Sequence, residues 1–156
     1  RKNRARARRR EITVATHNVR TMAVDGTHGV GRALHVLSVY DRLRCDVIGL
    51  QETRRSGHSA FSQAGYLVYC SGKCGGENGG KKGQGGVGLA LRTSITRAGR
   101  LPEFISDRLL KVTLEIRGRT KAVTFVVAYA STETQNPSNK YAFWTSLDRA
   151  VEEVPK

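Results

Sequence analysis

Two runs of apolar and β-branched residues, "ITVATHNV" (Ile12 to Val19) and "CDVIGLQE" (Cys45 to Glu52), flank a segment with helical periodicity. That segment, "GRALHVLSVYDRLR" from Gly31 to Arg44, places Ala33, Leu34, Leu37, Tyr40 and Leu43 near the repeat of an α-helix. Strand, helix and strand in this order imply parallel or mixed pairing, with the helix across one face of the sheet. Parallel neighbours end on the same edge. If the two strands are such neighbours, Asn18 and Glu52 emerge on one edge at the carboxyl ends of their strands, where open α/β sheets form ligand clefts.

Further along, "GYLVYCSG" reads as a short strand, and Gly72 to Gly86 as a loop with eight glycines in fifteen residues. "GVGLALR" is again a strand. "RLLKVTLEIRG" and "TKAVTFVVAYA" form a hairpin turning at Gly118-Arg119, with Leu110, Val112, Leu114 and Ile116 alternating on one face. After the polar "STETQNPSN", Lys140 to Val151 is expected to be helical, capped by Ser138 or Asn139. The class is α/β with strands in the majority and no internal repeat.

A chain of 156 residues suits one domain. The basic start, residues 1–11, reads as a disordered tail, and 12–156 as the folded part. No apolar run approaches membrane-spanning length and no signal-type segment follows the tail, so the expectation is an intracellular, nuclear protein with no membrane partner. Net charge is +14, from 27 Lys and Arg against 13 Asp and Glu, and seven of the bases lie in "RKNRARARRR". The tail fits either a polyanion-binding arm or a solubilising, nuclear-import arm. The remainder still carries 20 bases against 13 acids, which points to a polyanionic partner: DNA, or RNA.

Cys45, Cys70 and Cys74 make an odd count with no secretory signal, which favours reduced thiols. Cys70 and Cys74 form C-x3-C, but no second ligand pair stands at zinc-finger spacing. "GGENGGKK", Gly75 to Lys82, nearly spells a phosphate-binding loop. It lacks the final hydroxyl, and a strand follows where a helix should. The loop reads instead as a basic surface segment able to touch a phosphate backbone through Lys73, Lys81 and Lys82.

Glu52 admits two readings. A lone carboxylate beside an amide suits a hard cation such as Mg2+, which keeps most of its waters and takes one or two carboxylates plus phosphate oxygens. Arg54 and Arg55 would then face the substrate. Alternatively, Glu52 marks where the strand meets water and pairs with Arg54 or Arg55. Tyr129, near the end of the outgoing hairpin strand, is either a site residue or a packed strand aromatic.

"ATHNVRTM", followed some thirty residues later by "DVIGLQETRRSG", resembles the endonuclease/exonuclease/phosphatase superfamily. It is most similar to the endonuclease domains of non-LTR retrotransposons and to craniofacial-development-protein-like sequences, where these strands read W-N-V-R-T and D-I-x-x-L-Q-E-T-[RK]. "SDRLLKVTLEI" and "VTFVVAYASTE" resemble the same group's middle strands, the second usually V-x-A-Y-A-P-T-E. The resemblance runs from about Ile12 to the C-terminal helix. It implies a DNase I-like two-sheet α/β sandwich with flanking helices, of which this chain is the incomplete N-terminal portion. It also implies Mg2+ (or Mn2+) held by Glu52 with Asn18, and Tyr129 at the scissile phosphate. Arg20, Arg54, Arg55 and Thr132 become candidate backbone contacts beside Lys81 and Lys82. His17 stands where the group often has Trp, Ser131 replaces the common proline, and Thr132 stands where an asparagine is frequent.

The group's chemistry is metal-assisted hydrolysis of a phosphodiester, with a histidine paired to an aspartate and a D-x-N pair. The sequence contains no D-x-N, no S-D-H and no D-D-H, and its four histidines all lie early. The expectation is a DNA endonuclease of retrotransposon type whose second half, or a fused reverse transcriptase, lies elsewhere, and which is inactive alone. With mainly one sheet supplied, Val112, Leu114, Phe125 and Val127 are expected to be poorly covered. Two other readings stand beside it: a non-catalytic nucleic-acid-binding remnant, and a phosphatase of the same superfamily acting on inositol phosphates or lipids.

Overall fold

The computed structural model describes residues 11–22, 29–73, 85–99 and 101–154. The first ten residues of the tail, Cys74, Lys81 and Lys82 lie outside them. The strand–helix–strand reading holds: β1 (Val14–Asn18) and β2 (Val47–Gln51) pair in parallel across α1 (Gly29–Arg42), with Asn18 opposite Gln51. The sheet order is β1-β2-β5-β4-β3, where β3 is His58–Gln63, β4 Tyr66–Ser71 and β5 Val87–Arg92.

Alternation along these strands sorts side chains to two sides. Ile48, Leu50, Val68, Cys70 and Ala90 pack with Ala33, Val36 and Leu37 of α1. The helix stripe is thus 33-36-37-40, and Leu34 and Leu43, expected on it, are exposed. A stripe built on i, i+3, i+4 and i+7 leaves position 34 about a quarter-turn off the core direction. The helix stops at a left-handed Arg44, with Cys45 N–H donating to Tyr40 O at 3.0 Å and Arg44 N–H to Asp41 O at 2.9 Å, a Schellman ending.

The other side, Val47, Val87, Leu89 and Leu91, faces a second sheet. There β8 (Leu109–Ile116) carries β9 (Val123–Ala128) along one edge, while β6 (Thr96–Gly99) and β7 (Glu103–Ser106) pair with its two ends. Leu110, Val112, Leu114, Ile116 and Val127 close against the first sheet. This corrects the expectation of an uncovered face. Val112, Leu114 and Val127 are at most 5% exposed, and only Phe125 is half-buried. The chain supplies both sheets because β5 and β2 are apolar on both sides, one for the helix and one for β8 and β9. An open seam of about 310 Å³ remains between β1–β2 and β9, walled by Val14, Gly49, Leu89, Phe125 and Val127.

α2 (Pro137–Glu152) lies against the outer side of the second sheet. Its N-cap is Asn136, not Ser138 or Asn139: the Asn136 Oδ1 accepts from Ser138 N–H at 2.9 Å, with Pro137 at the first helical position. At its far end, Glu153 and Glu103 both meet Lys111 Nζ, at 3.2 and 2.9 Å. No helix among the described residues is long and apolar enough to cross a membrane.

Candidate functional site

The carboxyl ends of β1 and β2 and the exit of β9 converge on one rim of the sandwich. Parallel register carries Asn18 beside Glu52, and the Asn18 Nδ2 donates to Glu52 Oε1 at 2.8 Å. From the other sheet the Tyr129 hydroxyl donates to the same oxygen at 2.7 Å. Three residues far apart in sequence thus meet on one carboxylate. Both donors are fixed in turn. Asn18 Oδ1 accepts from Arg20 N–H at 3.1 Å, and the Tyr129 N–H donates to Arg108 O at 2.9 Å.

The backbone bends to present the acid. Glu52, Arg54 and Arg20 all adopt left-handed φ, at 54°, 54° and 57°, a conformation that costs a non-glycine residue roughly 1 kcal/mol or more. Instead of continuing the ladder, Thr53 N–H donates to Gly86 O at 3.1 Å and Arg54 N–H to Gly85 O at 2.8 Å. Gly86 is required there. Its φ is 87°, and a Cβ would come within 2.6 Å of Thr53 Oγ1.

The hydrogen bond from Asn18, then that from Tyr129, holds the Glu52 carboxyl below its ordinary range, with Arg54 adding to it. The bond to Glu52, together with burial, pushes the Tyr129 phenol up. At neutral pH the rim is therefore one ionised carboxylate and one protonated phenol. Glu52 Oε2 lies 3.5 Å from Arg54 Nη2, and the Glu52 side chain is 22% exposed. The contact with Arg54 is the one the surface reading of Glu52 expects, and part of the side chain still meets solvent.

Arg55 is engaged elsewhere. It stands 4.1 Å over the Phe61 ring and donates to Met22 O at 3.2 Å, anchoring the β2–β3 connection. Arg20 is exposed, and Thr132 is exposed with its hydroxyl 3.2 Å from that of Thr134. Cys70 is buried in the first core, which pushes its thiol up to about 12, the behaviour of an inert core thiol. Sequence reasoning passed over Arg108. Its Nη1 donates to Tyr129 O and Ala130 O at 3.2 and 3.0 Å, and its guanidinium lies 5.1 Å over the Tyr129 ring.

Among the described residues no three His, Cys, Asp or Glu side chains gather as a metal cluster. The donor set fits Mg2+ or Mn2+ in a narrower way: one hard, ionised oxygen ligand, the rest of the shell left to water and phosphate. As arranged, Asn18 turns its NH2 to Glu52 and its carbonyl to Arg20 N–H, so it orients the carboxylate and its own oxygen, expected beside Glu52 as a second ligand, is already engaged.

The chain shares its fold with the AP endonuclease LMAP from Leishmania major, with a TM-score of 0.54 at 16% identity, over 90% of this chain and 46% of that one. It thus spans about half the length of that structure. No curated protein sequence matches it. The profile of the Endonuclease/Exonuclease/phosphatase family matches residues 15–154. That match takes in both sheets, both helices and the converging strand ends, and the chain belongs to the endonuclease/exonuclease/phosphatase family, a superfamily of metal-dependent phosphodiesterases.

Proposed function

We propose that this rim is the metal-binding part of a nuclease site that acts on DNA in the manner of a retrotransposon endonuclease. The observation that carries the reading is the ionised Glu52, clamped by Asn18 from its own sheet and by Tyr129 from the other. Bound Mg2+ or Mn2+ would neutralise charge on phosphoryl oxygens. Glu52 would hold it, Asn18 would keep the carboxylate turned to it, and Tyr129, protonated at neutral pH, would offer a hydrogen-bond donor beside the phosphate. Arg54 and Arg20, exposed on the same rim, supply positive charge toward the backbone.

On this reading these residues bind and orient, and the D-x-N, S-D-H or D-D-H groups to which the resemblance assigns water activation do not occur in the sequence. Cutting a strand to leave a 3′-hydroxyl then requires groups from outside the 156 residues. The N-V-R-T and L-Q-E-T-R wording favours the retroelement branch over an inositol-phosphate or lipid phosphatase, and a nuclear location and a fused reverse transcriptase go with that branch. Titrating Mn2+ into the chain should broaden the NMR signals of Asn18 and Tyr129, and Glu52→Gln should abolish the effect. Unchanged broadening in that variant rejects the metal role.

The excess of 27 bases over 13 acids favours a second reading, a non-catalytic nucleic-acid-binding module. Its signature is binding with a steep salt dependence that Glu52→Gln leaves unaltered and removal of the tail weakens.

A further inference from the structure

Beside the rim, between the β7–β8 turn and α2, runs an open groove of about 300 Å³. We propose that it holds the backbone of a polynucleotide strand, at a phosphate flanking the one that meets Glu52. The proposal rests on the nuclease reading above and adds to it a substrate with more than one linked phosphate.

The walls carry two cations, Lys73 and Arg108, and the side-chain amides and hydroxyl of Gln135, Asn139 and Ser131. These are the groups that contact phosphate and sugar oxygens without reading bases. Small-molecule pockets are mostly apolar enclosures with a few placed polar groups, whereas this groove is open and its walls are mainly polar. The acid in the wall, Asp107, has its Oδ2 shut away from solvent, with no partner among the described residues. A Cβ on Gly85 would stand 3.6 Å from that oxygen.

Arg108 joins the groove to the rim. It lines the groove while its Nη1 grips the carbonyls of Tyr129 and Ala130, and Tyr129 in turn reaches Glu52. Among the described residues only Nη1 of this guanidinium is engaged, which leaves Nε and Nη2 as donors in the fork geometry that suits phosphate. A ligand with phosphates on both sides of Tyr129 would engage both places at once.

The test uses the whole 156-residue chain without metal and a short oligothymidylate, read by fluorescence of Trp144. This is the single tryptophan, and its ring lies 5.2 Å from that of Phe143, a groove residue. Lys73→Ala should weaken binding and lower the salt slope by about one. Asn139→Asp, which places an acid in the first turn of α2 where helices tolerate it well, should weaken binding several-fold. Lys121→Ala, an exposed lysine at the opposite end of the β8–β9 hairpin, should do much less than either. The proposal is overturned if the groove variants bind like the parent, or if inositol hexakisphosphate displaces the oligonucleotide from the parent chain as readily as unlabelled oligonucleotide does. Mn2+ broadening in the same variants separates the two readings. Its absence in the parent removes the metal role, while oligonucleotide binding that ignores Lys73 and Asn139 removes the groove.

Discussion

The two ends of the first sheet concentrate charge in opposite ways. At the end away from the rim a cation is surrounded by acceptors. Arg92 reaches Asp41 Oδ1 at 2.5 Å, Cys45 O at 3.2 Å and the Tyr66 hydroxyl at 3.0 Å, and Tyr66 itself donates to Cys45 O at 2.6 Å. At the rim an anion is surrounded by donors, and its side chain stays partly exposed. Left-handed residues occur at both ends but serve different purposes. Arg44 ends a helix, and Ala64, at φ 49°, turns the β3–β4 hairpin. Glu52 and Arg54 neither end a helix nor turn a hairpin. Their bend serves to lift a carboxylate off the strand end. One end ties α1 to the sheet, and the other holds the proposed metal ligand at a cost in backbone energy.

This contrast is broken most sharply by metal affinity. Glu52→Gln should lower Mn2+ affinity by at least ~100-fold, and Tyr129→Phe, which removes a group acting through Glu52, by about tenfold, both read by calorimetry. Arg92→Met should leave metal binding intact but lower unfolding free energy by about 2 kcal/mol, because it removes the donor shared by Asp41 Oδ1, Cys45 O and the Tyr66 hydroxyl, although Tyr66 still donates to Cys45 O. Chemical denaturation measures this. If Glu52→Gln proved the more destabilising of the two, the division of labour would fail.

A smaller effect concerns pH. Glu52 titrates lower in the folded chain than in the unfolded one, so its contribution to stability is complete above the ordinary carboxylate value, near 4.3. It is lost as pH falls through the lowered folded value. Stability measured between pH 5 and 2 should therefore fall less steeply in Tyr129→Phe, which removes one of the bonds that stabilise the ionised form. The smallest effect sharpens the backbone comparison. Ala64→Gly should raise stability by ~1 kcal/mol by relieving a strained turn, with metal binding untouched. Glu52→Gly should relieve a similar strain while abolishing metal binding.

Much of this was legible where pattern and geometry coincide. β1, α1, β2, β5 and the β8–β9 hairpin each carry an unambiguous period, and the parallel register that brings Asn18 to Glu52 follows from strand, helix, strand. The strands His58–Gln63, Thr96–Gly99 and Glu103–Ser106 were missed because the first is mainly polar and the other two are only four residues long, stabilised by the edges they join more than by their own apolar pattern. The coverage of Val112 and Leu114 was misjudged for a related reason: an apolar strand does not announce that both its faces will be used. Arg108 was hidden because its place beside Tyr129 depends on the register of β8 against β9, which no local motif encodes.

The bond between Glu52 and Tyr129 has a mechanical consequence. It is a bolt through two plates: Glu52 belongs to the first sheet and Tyr129 to the second, and nothing within either ladder fixes their separation. A slip of one sheet over the other by an ångström would part the bolt while every ladder hydrogen bond survived. Mild denaturant should therefore silence cation binding before far-ultraviolet dichroism records any loss of strand.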